Sequence, residues 1–190
     1  DCIYEVLCGV KGRLSPLSVY QVNLDMAQQL YEKAAEYACL SGKETVLDMN
    51  CGTGTIGLSM AKKAKRILGA EIVPEAVLDA RRNALEKGLE NAEFICADAG
   101  EAAQELSSRG IKPDVVLLDP PRKGCSEMLL AEIVKMSPER IVYVSCDPST
   151  LARDCSRLKD LGYETKRLAA ADLFPRTVHV ESVALLTKQK

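Results

Sequence analysis

The sequence predicts an α/β domain with a seven-stranded, mostly parallel sheet, a last strand that runs antiparallel, and helices on both faces. Two observations predict it. Short apolar runs rich in β-branched residues alternate with longer segments of helical period through most of the 190 residues. About ten residues separate the last two predicted strands, which is too short for a crossover helix and favours a hairpin.

The predicted elements follow one another as successive β-α units. The strands are predicted at residues 45–50, 66–71, 92–96, 114–119, 140–146, 163–169 and 180–187. The helices are predicted at residues 23–39, 56–63, 74–87, 100–108, 126–136 and 148–161. Residues 1–17 stand outside this alternation. We interpret them as a linker or the remnant of a missing N-terminal domain, so that residues 18–190 form the main domain.

Composition and charge exclude several classes of protein. No apolar run approaches the roughly 18 residues of a membrane helix, and no signal-peptide pattern opens the chain. The net charge of -2 argues against a protein that coats nucleic acid through bulk charge. Eight cysteines without a CxxC pair favour free thiols in a reducing cytoplasm, and no metal site is predicted. Most cysteines are interpreted as inert core residues, among them Cys39, Cys51, Cys96 and Cys155.

A glycine-rich loop follows the first strand of the main sheet. Gly52, Gly54 and Gly57 form a GxGxxG pattern, in which the backbone can approach a ligand and the helix start offers free N–H groups. Alone, the pattern also fits a tight strand-to-helix turn. Glu71 ends the second strand and Asp98 follows the third, where carboxylates can reach the ribose hydroxyls and the adenine edge. Together these features predict an adenosine-type cofactor.

Distinctive residues also follow the fourth and fifth strands. Asp119 ends a buried strand, where an unpaired carboxylate is costly, and the Pro120-Pro121 pair stiffens the loop behind it. Cys146 ends the fifth strand, and Asp147-Pro148 then opens a helix. The helix dipole favours a thiolate at Cys146, whereas the Asp147 carboxylate disfavours it. The sequence leaves the net effect open.

The last predicted strand brings a carboxylate towards the same rim. Alternation places His179 and Glu181 on one face of this strand. Because an antiparallel strand begins where parallel strands end, Glu181 approaches Cys146 and Asp119. A thiol and a carboxylate above a cofactor pocket suggest a nucleophile and a general base. From periodicity alone, however, a solvent-facing acid is the simpler interpretation of Glu181.

Five segments, in order, resemble the RNA uracil-C5-methyltransferases, which make 5-methyluridine in transfer or ribosomal RNA from S-adenosylmethionine. The segments are Tyr20-Gln21-Val22-Asn23, Cys51-Gly52-Thr53-Gly54-Thr55, Asp119-Pro120-Pro121-Arg122, Ser145-Cys146-Asp147-Pro148 and His179-Val180-Glu181. The first two are moderately specific, and the last three in this order are highly specific. The resemblance spans residues 20–181 and implies a Rossmann-like class I methyltransferase fold.

The resemblance also implies a covalent mechanism. Cys146 would add to C6 of the target uracil, C5 would take the methyl group, and Glu181 would remove the C5 proton before Cys146 leaves. Asp119 would lie near both the target and the cofactor. The implied cofactor-binding positions are Gln21, Asn50, Gly52, Thr55, Glu71, Asp98 and Asp119. The sequence departs from the family at Val19 and Asn50, where members often carry aromatic side chains that would stack on a cofactor or base.

The partner implied by the resemblance is transfer or ribosomal RNA. Members of the family carry N-terminal RNA-binding parts that do not fit within residues 1–17, so we expect residues 18–190 to be an isolated catalytic domain. Among the basic pairs, Arg122-Lys123 is the predicted phosphate contact. Two alternatives stay open: a methyltransferase of another substrate, which needs no nucleophilic cysteine, and an inactive cofactor-binding or RNA-binding module. A nicotinamide dehydrogenase is disfavoured because it does not require the cysteine.

Overall fold

The computed structural model describes residues 3–7, 10–14, 24–172 and 180–189. Within these ranges a hairpin of β1 (Ile3–Leu7) and β2 (Val10–Leu14) precedes a seven-stranded sheet. The strands of that sheet are β3 (Thr45–Met49), β4 (Arg66–Glu71), β5 (Ala92–Cys96), β6 (Val115–Leu118), β7 (Arg140–Ser145), β8 (Tyr163–Ala171) and β9 (Glu181–Lys188). The helices are α1 (Leu24–Ala38), α2 (Thr55–Met60), α3 (Pro74–Glu86), α4 (Ala99–Ser108), α5 (Glu127–Met136) and α6 (Pro148–Asp160), with a 3-10 turn at Ala61–Lys63.

The strand order in the larger sheet is β5-β4-β3-β6-β7-β9-β8. Neighbouring strands from β5 to β7 are parallel, whereas β9 is antiparallel to both β7 and β8. The predicted mostly parallel sheet with a reversed last strand is therefore confirmed. The hairpin with β8 carries β9 into the gap beside β7, so the last strand of the sheet lies inside it and not at its edge.

Helices cover both faces of the sheet, which is why its central strands are buried almost along their whole length. Successive residues of β3 point to opposite faces. Val46 packs into the core beneath α1 and α2, and Leu47 packs into the core beneath α4, α5 and α6. Two apolar layers thus fix the sheet and hold the ends of its strands in place. Among the described helices, none is long and apolar enough to cross a membrane.

Two features differ from the sequence predictions. No strand is predicted in residues 1–17, whereas that segment contains the β1–β2 hairpin, whose second strand lies against α3. These two short strands stand outside the β-α alternation, so the pattern that predicts the other strands does not predict them. Cys39 and Cys96 are exposed and are not core residues. Cys39 follows the end of α1 with a positive φ, and Cys96 ends the edge strand β5, so neither is covered by a second layer.

Candidate functional site

Most of the side chains predicted for the site lie at the carboxyl ends of the parallel strands, the usual ligand-binding edge of an open α/β sheet. By position, they are Asn50 and Gly52 after β3, Thr55 at the start of α2, Glu71 at the end of β4, Asp98 after β5, Asp119 after β6, Cys146 after β7 and Glu181 at the start of β9. Gln21, Tyr20, Val19 and His179 lie outside the described residues.

The glycine loop is a tight strand-to-helix turn, and its backbone conformation favours glycine and asparagine at several positions. Asn50, Gly52 and Gly54 have φ values of 60, 54 and 81 degrees, in the left-handed region. An ideal Cβ on Gly54 would lie 3.1 Å from the Phe94 ring, so a side chain there would be crowded as well as strained by the positive φ. Asparagine tolerates the left-handed region better than bulky side chains do. Asn50 is therefore compatible with the φ that this turn requires.

Glu71 joins the glycine loop to the end of β4. Its Oε2 accepts a hydrogen bond from the N–H of Gly52 at 2.9 Å, and its Oε1 accepts one from the N–H of Val73 at 3.0 Å. Each oxygen of an ionised carboxylate has two acceptor positions, so each keeps one for a ligand hydroxyl. The nearly buried Glu71 is therefore held rigidly where a pair of ribose hydroxyls is expected.

Asp48, in β3, is a rim residue that the sequence analysis does not identify. It is fully buried, and its Oδ2 accepts the N–H of Gly57 at 3.0 Å. Burial, with the charge of Glu71, raises the pKa of Asp48 to about 7, although the Gly57 N–H opposes the shift. Within the described part of the chain, neither Asp48 Oδ1 nor Asn50 Oδ1 has a hydrogen-bond partner. These two buried acceptors fit a ligand that brings its own donors.

Other rim residues vary in exposure. Asp98 is exposed and caps α4, since its Oδ1 accepts the N–H of Gly100 at 2.8 Å. Thr55 Oγ1 lies 3.2 Å from Thr53 Oγ1 at the start of α2. Ile72, next to Glu71, is 57% exposed, an apolar side chain at the same edge that the sequence analysis also does not identify. Two sequence signals could have revealed these residues. Asp48 is an acid inside the apolar strand before the glycine loop, and Ile72 is an apolar residue directly after Glu71.

The pairing of β7 with β9 brings Cys146 and Glu181 together. Ser145 is paired with Ser182, so the next position of this antiparallel ladder places Cys146 opposite Glu181. Glu181 is 7% exposed and Cys146 is half-buried. The interpretation of Glu181 as a solvent-facing acid, based on periodicity alone, is therefore wrong. β9 lies between β7 and β8, so Glu181 begins an interior strand of the sheet and not an edge strand.

The electrostatics of the pair favour the neutral thiol in the free protein. Burial raises the pKa of Cys146, and the carboxylates of Glu181 and Asp119 raise it further, whereas a backbone hydrogen bond and then the charge of Arg122 lower it. Burial also raises the pKa of Glu181, and Arg122 again opposes the shift. The pKa of Cys146 in the free protein therefore lies above the ordinary value of a cysteine thiol. Arg122 is the cation that favours the ionised forms of both groups.

Carboxylates accumulate along the rim, and Asp119 shows their combined effect. Burial and then the charges of neighbouring acids raise the pKa of Asp119 to about 8; those acids are Asp48, Glu181 and Glu71. Such an arrangement repels anions and attracts cations. Exposed Arg122 and Lys123 lie on the loop that follows Asp119, in a turn closed by the Gly124 N–H donating to the Pro121 carbonyl at 2.8 Å.

Known proteins resemble the chain in sequence and in fold. Residues 12–189 match the family model described as tRNA (Uracil-5-)-methyltransferase. An uncharacterized RNA methyltransferase of Halalkalibacterium halodurans is 50% identical over 186 residues, which cover 98% of this chain and 41% of that protein. A second, from Clostridium tetani, is 49% identical over 187 residues. The chain spans about 41% of the length of these curated relatives.

Among solved structures, the Pyrococcus abyssi tRNA (uracil-54, C5)-methyltransferase, in complex with S-adenosyl-L-homocysteine, matches with a TM-score of 0.82 and 35% identity. The match covers 98% of this chain and 44% of that one. Precorrin-6y C5,15-methyltransferase of Geobacter metallireducens matches with a TM-score of 0.70 over 93% of this chain and 94% of that chain, but at 16% identity it shares the fold alone. These matches confirm the predicted Rossmann-like methyltransferase fold.

Proposed function

Since the chain belongs to the tRNA (uracil-5-)-methyltransferase family, we propose that it transfers a methyl group from S-adenosylmethionine to C5 of a uridine in transfer or ribosomal RNA. The observation that carries this proposal is the placement of Cys146 opposite Glu181, next to a rim suited to a cationic cofactor. Because the chain spans only part of its relatives, the activity of the whole protein belongs to the same proposal.

The rim fits S-adenosylmethionine in shape and in charge. Glu71 would accept the ribose hydroxyls, Asp98 would reach the adenine edge, and Ile72 offers an apolar surface for the ring. The buried Oδ1 atoms of Asp48 and Asn50 would accept donors such as the ammonium of the amino acid part. A rim of carboxylates suits a sulfonium and an ammonium, whereas it would repel the pyrophosphate of a dinucleotide. This favours a methyltransferase over a nicotinamide enzyme.

Cys146 would start the reaction, because C5 of uracil is a poor nucleophile until C6 carries an electron-rich substituent. The thiolate forms a bond to C6, and the electron pair of the C5–C6 double bond moves towards C5 and the neighbouring carbonyl. S-adenosylmethionine, when bound, would supply the methyl group to C5 as an electrophile: the bond between its sulfonium sulfur and the methyl carbon breaks, and S-adenosylhomocysteine leaves. Arg122 favours the thiolate that this first step needs, because its charge lowers the pKa of Cys146.

Glu181 would complete the reaction. C5 now carries both a methyl group and its original proton, and the Glu181 carboxylate accepts that proton. The electron pair of the C5–H bond restores the C5–C6 double bond, and the C6–S bond breaks to release the thiolate. Arg122 also opposes the raised pKa of Glu181, which keeps more of the carboxylate ionised as a base.

RNA that contains 5-fluorouracil tests this chemistry. A base can remove the proton at C5 but cannot remove a fluorine there, so the step that releases Cys146 is blocked. We expect the complete protein, with S-adenosylmethionine, to form a covalent adduct that survives denaturing electrophoresis and maps to Cys146. Cys146→Ala should form no adduct, whereas the matched control Cys96→Ala, which removes an exposed cysteine of the same rim, should form it normally.

Glu181→Gln gives a complementary result with ordinary RNA. Because the elimination would lack its base, we expect a methylated adduct to accumulate and turnover to fall. A protein that binds RNA and cofactor but forms no adduct with 5-fluorouracil RNA would contradict the mechanism. Methyl transfer that persists in Cys146→Ala would instead favour another substrate atom.

A further inference from the structure

A buried carboxylate outside the rim, Asp154 on α6, takes no part in the chemistry described above. It is fully buried, and its Oδ2 accepts the N–H of Cys125 at 2.8 Å and the hydroxyl of Tyr143 at 2.7 Å. Its Oδ1 accepts Nε of Arg153 at 2.9 Å and Nη1 of Arg157 at 3.4 Å. Burial would raise the pKa of Asp154, but these hydrogen bonds outweigh it and hold the pKa below its usual value. Asp154 is thus a fully bonded, ionised group.

Arg153 extends this network to the loop of residues 119–124. Its Nη2 donates a hydrogen bond to the Lys123 carbonyl at 2.8 Å. An ideal Cβ on Gly124 would lie 2.5 Å from both Arg153 Nη2 and Asp154 Oδ2, and Gly124 has a φ of +73 degrees. Glycine is needed here because the loop approaches α6 so closely. The loop is therefore clamped directly after Arg122.

The same network also reaches the strand that ends at Cys146. Tyr143 lies on β7, three residues before Cys146, and its hydroxyl bonds to Asp154. The helix that carries Asp154 begins two residues after Cys146, where Asp147 caps it by accepting two backbone N–H groups at 2.8 and 3.1 Å. A single carboxylate thus connects the strand of the nucleophile with the loop that carries Arg122.

We propose that Asp154 and Arg153 are positioning residues that hold the loop of residues 119–124 so that Arg122 faces Cys146 and Glu181. The inference rests on the proposed function and deepens it, because it names what places Arg122, whose charge favours the reactive thiolate. A fully satisfied buried polar network selects a single arrangement of the elements it joins. The two prolines stiffen the start of the loop, and Arg153 fixes its end.

Alkylation of Cys146 by iodoacetamide tests this placement without RNA or cofactor. The rate at Cys146 is followed against pH by peptide mass spectrometry, which separates it from the exposed Cys39 and Cys96. In Arg153→Ala and Asp154→Asn we expect the midpoint of the curve of alkylation rate against pH to move to higher pH. The shift should be at least half of the shift that Arg122→Ala produces. The direction follows because a displaced Arg122 no longer lowers the pKa of the thiol.

Arg157→Ala is the matched control. Arg157 is also an α6 arginine bonded to Asp154, but its second partner is Glu127 and not the loop. We expect the alkylation midpoint of this variant to stay at that of the unaltered protein. Arg153→Lys, which keeps the charge and one donor, should recover part of the shift. Arg153 is 40% exposed at its side chain, so its variants test the inference even if Asp154→Asn fails to fold.

Methyl transfer by the complete protein gives a second readout. We expect kcat to fall by roughly 10- to 100-fold in Arg153→Ala, with affinity for S-adenosylmethionine unchanged, because Glu71 and the glycine loop lie on other strands. Folded variants that keep the original alkylation midpoint, or an equal shift in Arg157→Ala, would overturn the inference. An alkylation shift without any RNA adduct in the unaltered protein would refute the proposed function and leave the positioning role standing.

Discussion

At the residue scale, Gly57 shows how little space the rim leaves for change. Its N–H donates to Asp48 at 3.0 Å, and an ideal Cβ there would lie 2.7 Å from Asp48 Oδ2 and 3.1 Å from Ile67 Cγ2. Asp48 is buried within β3 and cannot move aside. One additional methyl group must therefore push α2 and its glycine loop away from the strand.

Gly57→Ala should lower the free energy of unfolding by about 1–3 kcal/mol, as measured by urea denaturation. Gly100→Ala is the matched control, since Gly100 also lies in a first helical turn. The nearest atom that its Cβ would meet, Met128 Cε at 2.5 Å, is the far end of a flexible and half-exposed side chain, and the next, Oδ1 of the exposed Asp98, lies at 3.2 Å. We expect Gly100→Ala to be neutral or stabilising by up to about 1 kcal/mol. Equal losses in the two variants would contradict this account.

Asp119 provides a second test at the residue scale. Asp119→Asn removes one carboxylate from a crowded acidic rim, so we expect it to raise the melting temperature by about 2–4 °C near pH 9. The gain should shrink near pH 6, where Asp119, with its pKa of about 8, is already protonated. Differential scanning calorimetry of the variant and the unaltered protein at both pH values measures the difference in melting temperature. Asp98→Asn, which changes the exposed cap of α4, should show no such pH-dependent gain in melting temperature. A gain in Asp119→Asn at low pH alone would contradict the raised pKa of Asp119.

At the scale of elements, the seven strands of the main sheet end within two residues of their predicted bounds. The central strands were predictable because helices bury them on both faces, which requires continuous apolar runs. Helix starts were predictable at Pro74 and Pro148, because proline favours the first helical position. The burial of Glu181 was not predictable from periodicity, since it depends on which strands flank β9. The role of Asp48 depends likewise on where α2 folds back over β3.

The N-terminus of α6 is the element on which the position of Cys146 depends most directly. Asp147→Ala removes the acceptor of the Ser149 and Thr150 N–H groups and should cost about 1 kcal/mol of stability. We also expect it to reduce adduct formation with 5-fluorouracil RNA, because Cys146 directly precedes the cap. Ser126→Ala removes the cap of α5 and should cost a similar amount of stability without reducing adduct formation. Equal adduct yields in both variants would contradict the link.

At the scale of the whole molecule, the acidic rim makes stability depend on pH. Asp48 and Asp119 have folded pKa values of about 7 and about 8, both above the ordinary value of 3.8. The folded state therefore holds more protons than the unfolded state between about pH 4 and pH 8, and stability falls as pH rises through this window. Urea unfolding from about pH 5 to pH 9 should show the fall. Stability that rises with pH over that range would contradict it.

Cofactor binding should show the opposite dependence on pH. As the rim ionises, its attraction for a sulfonium grows, so we expect affinity for S-adenosylmethionine to increase from about pH 6 to pH 8.5. S-adenosylhomocysteine lacks the sulfonium charge and should gain less. Isothermal titration calorimetry with both ligands measures the difference. An equal gain for the two ligands would show that the rim does not recognise the sulfonium charge.

The place of β9 between β7 and β8 has a consequence for how the protein is made. Both flanking strands are synthesised before β9, so a growing chain holds β7 with one unpaired edge, and β8 not yet joined to the sheet, until β9 enters between them. Cys146 directly follows β7 and is synthesised before β8, but Glu181 arrives opposite it only when β9 enters. A chain still on the ribosome thus carries Cys146 without Glu181 opposite it. The pairing on which the proposed reaction depends forms only when the sheet is complete.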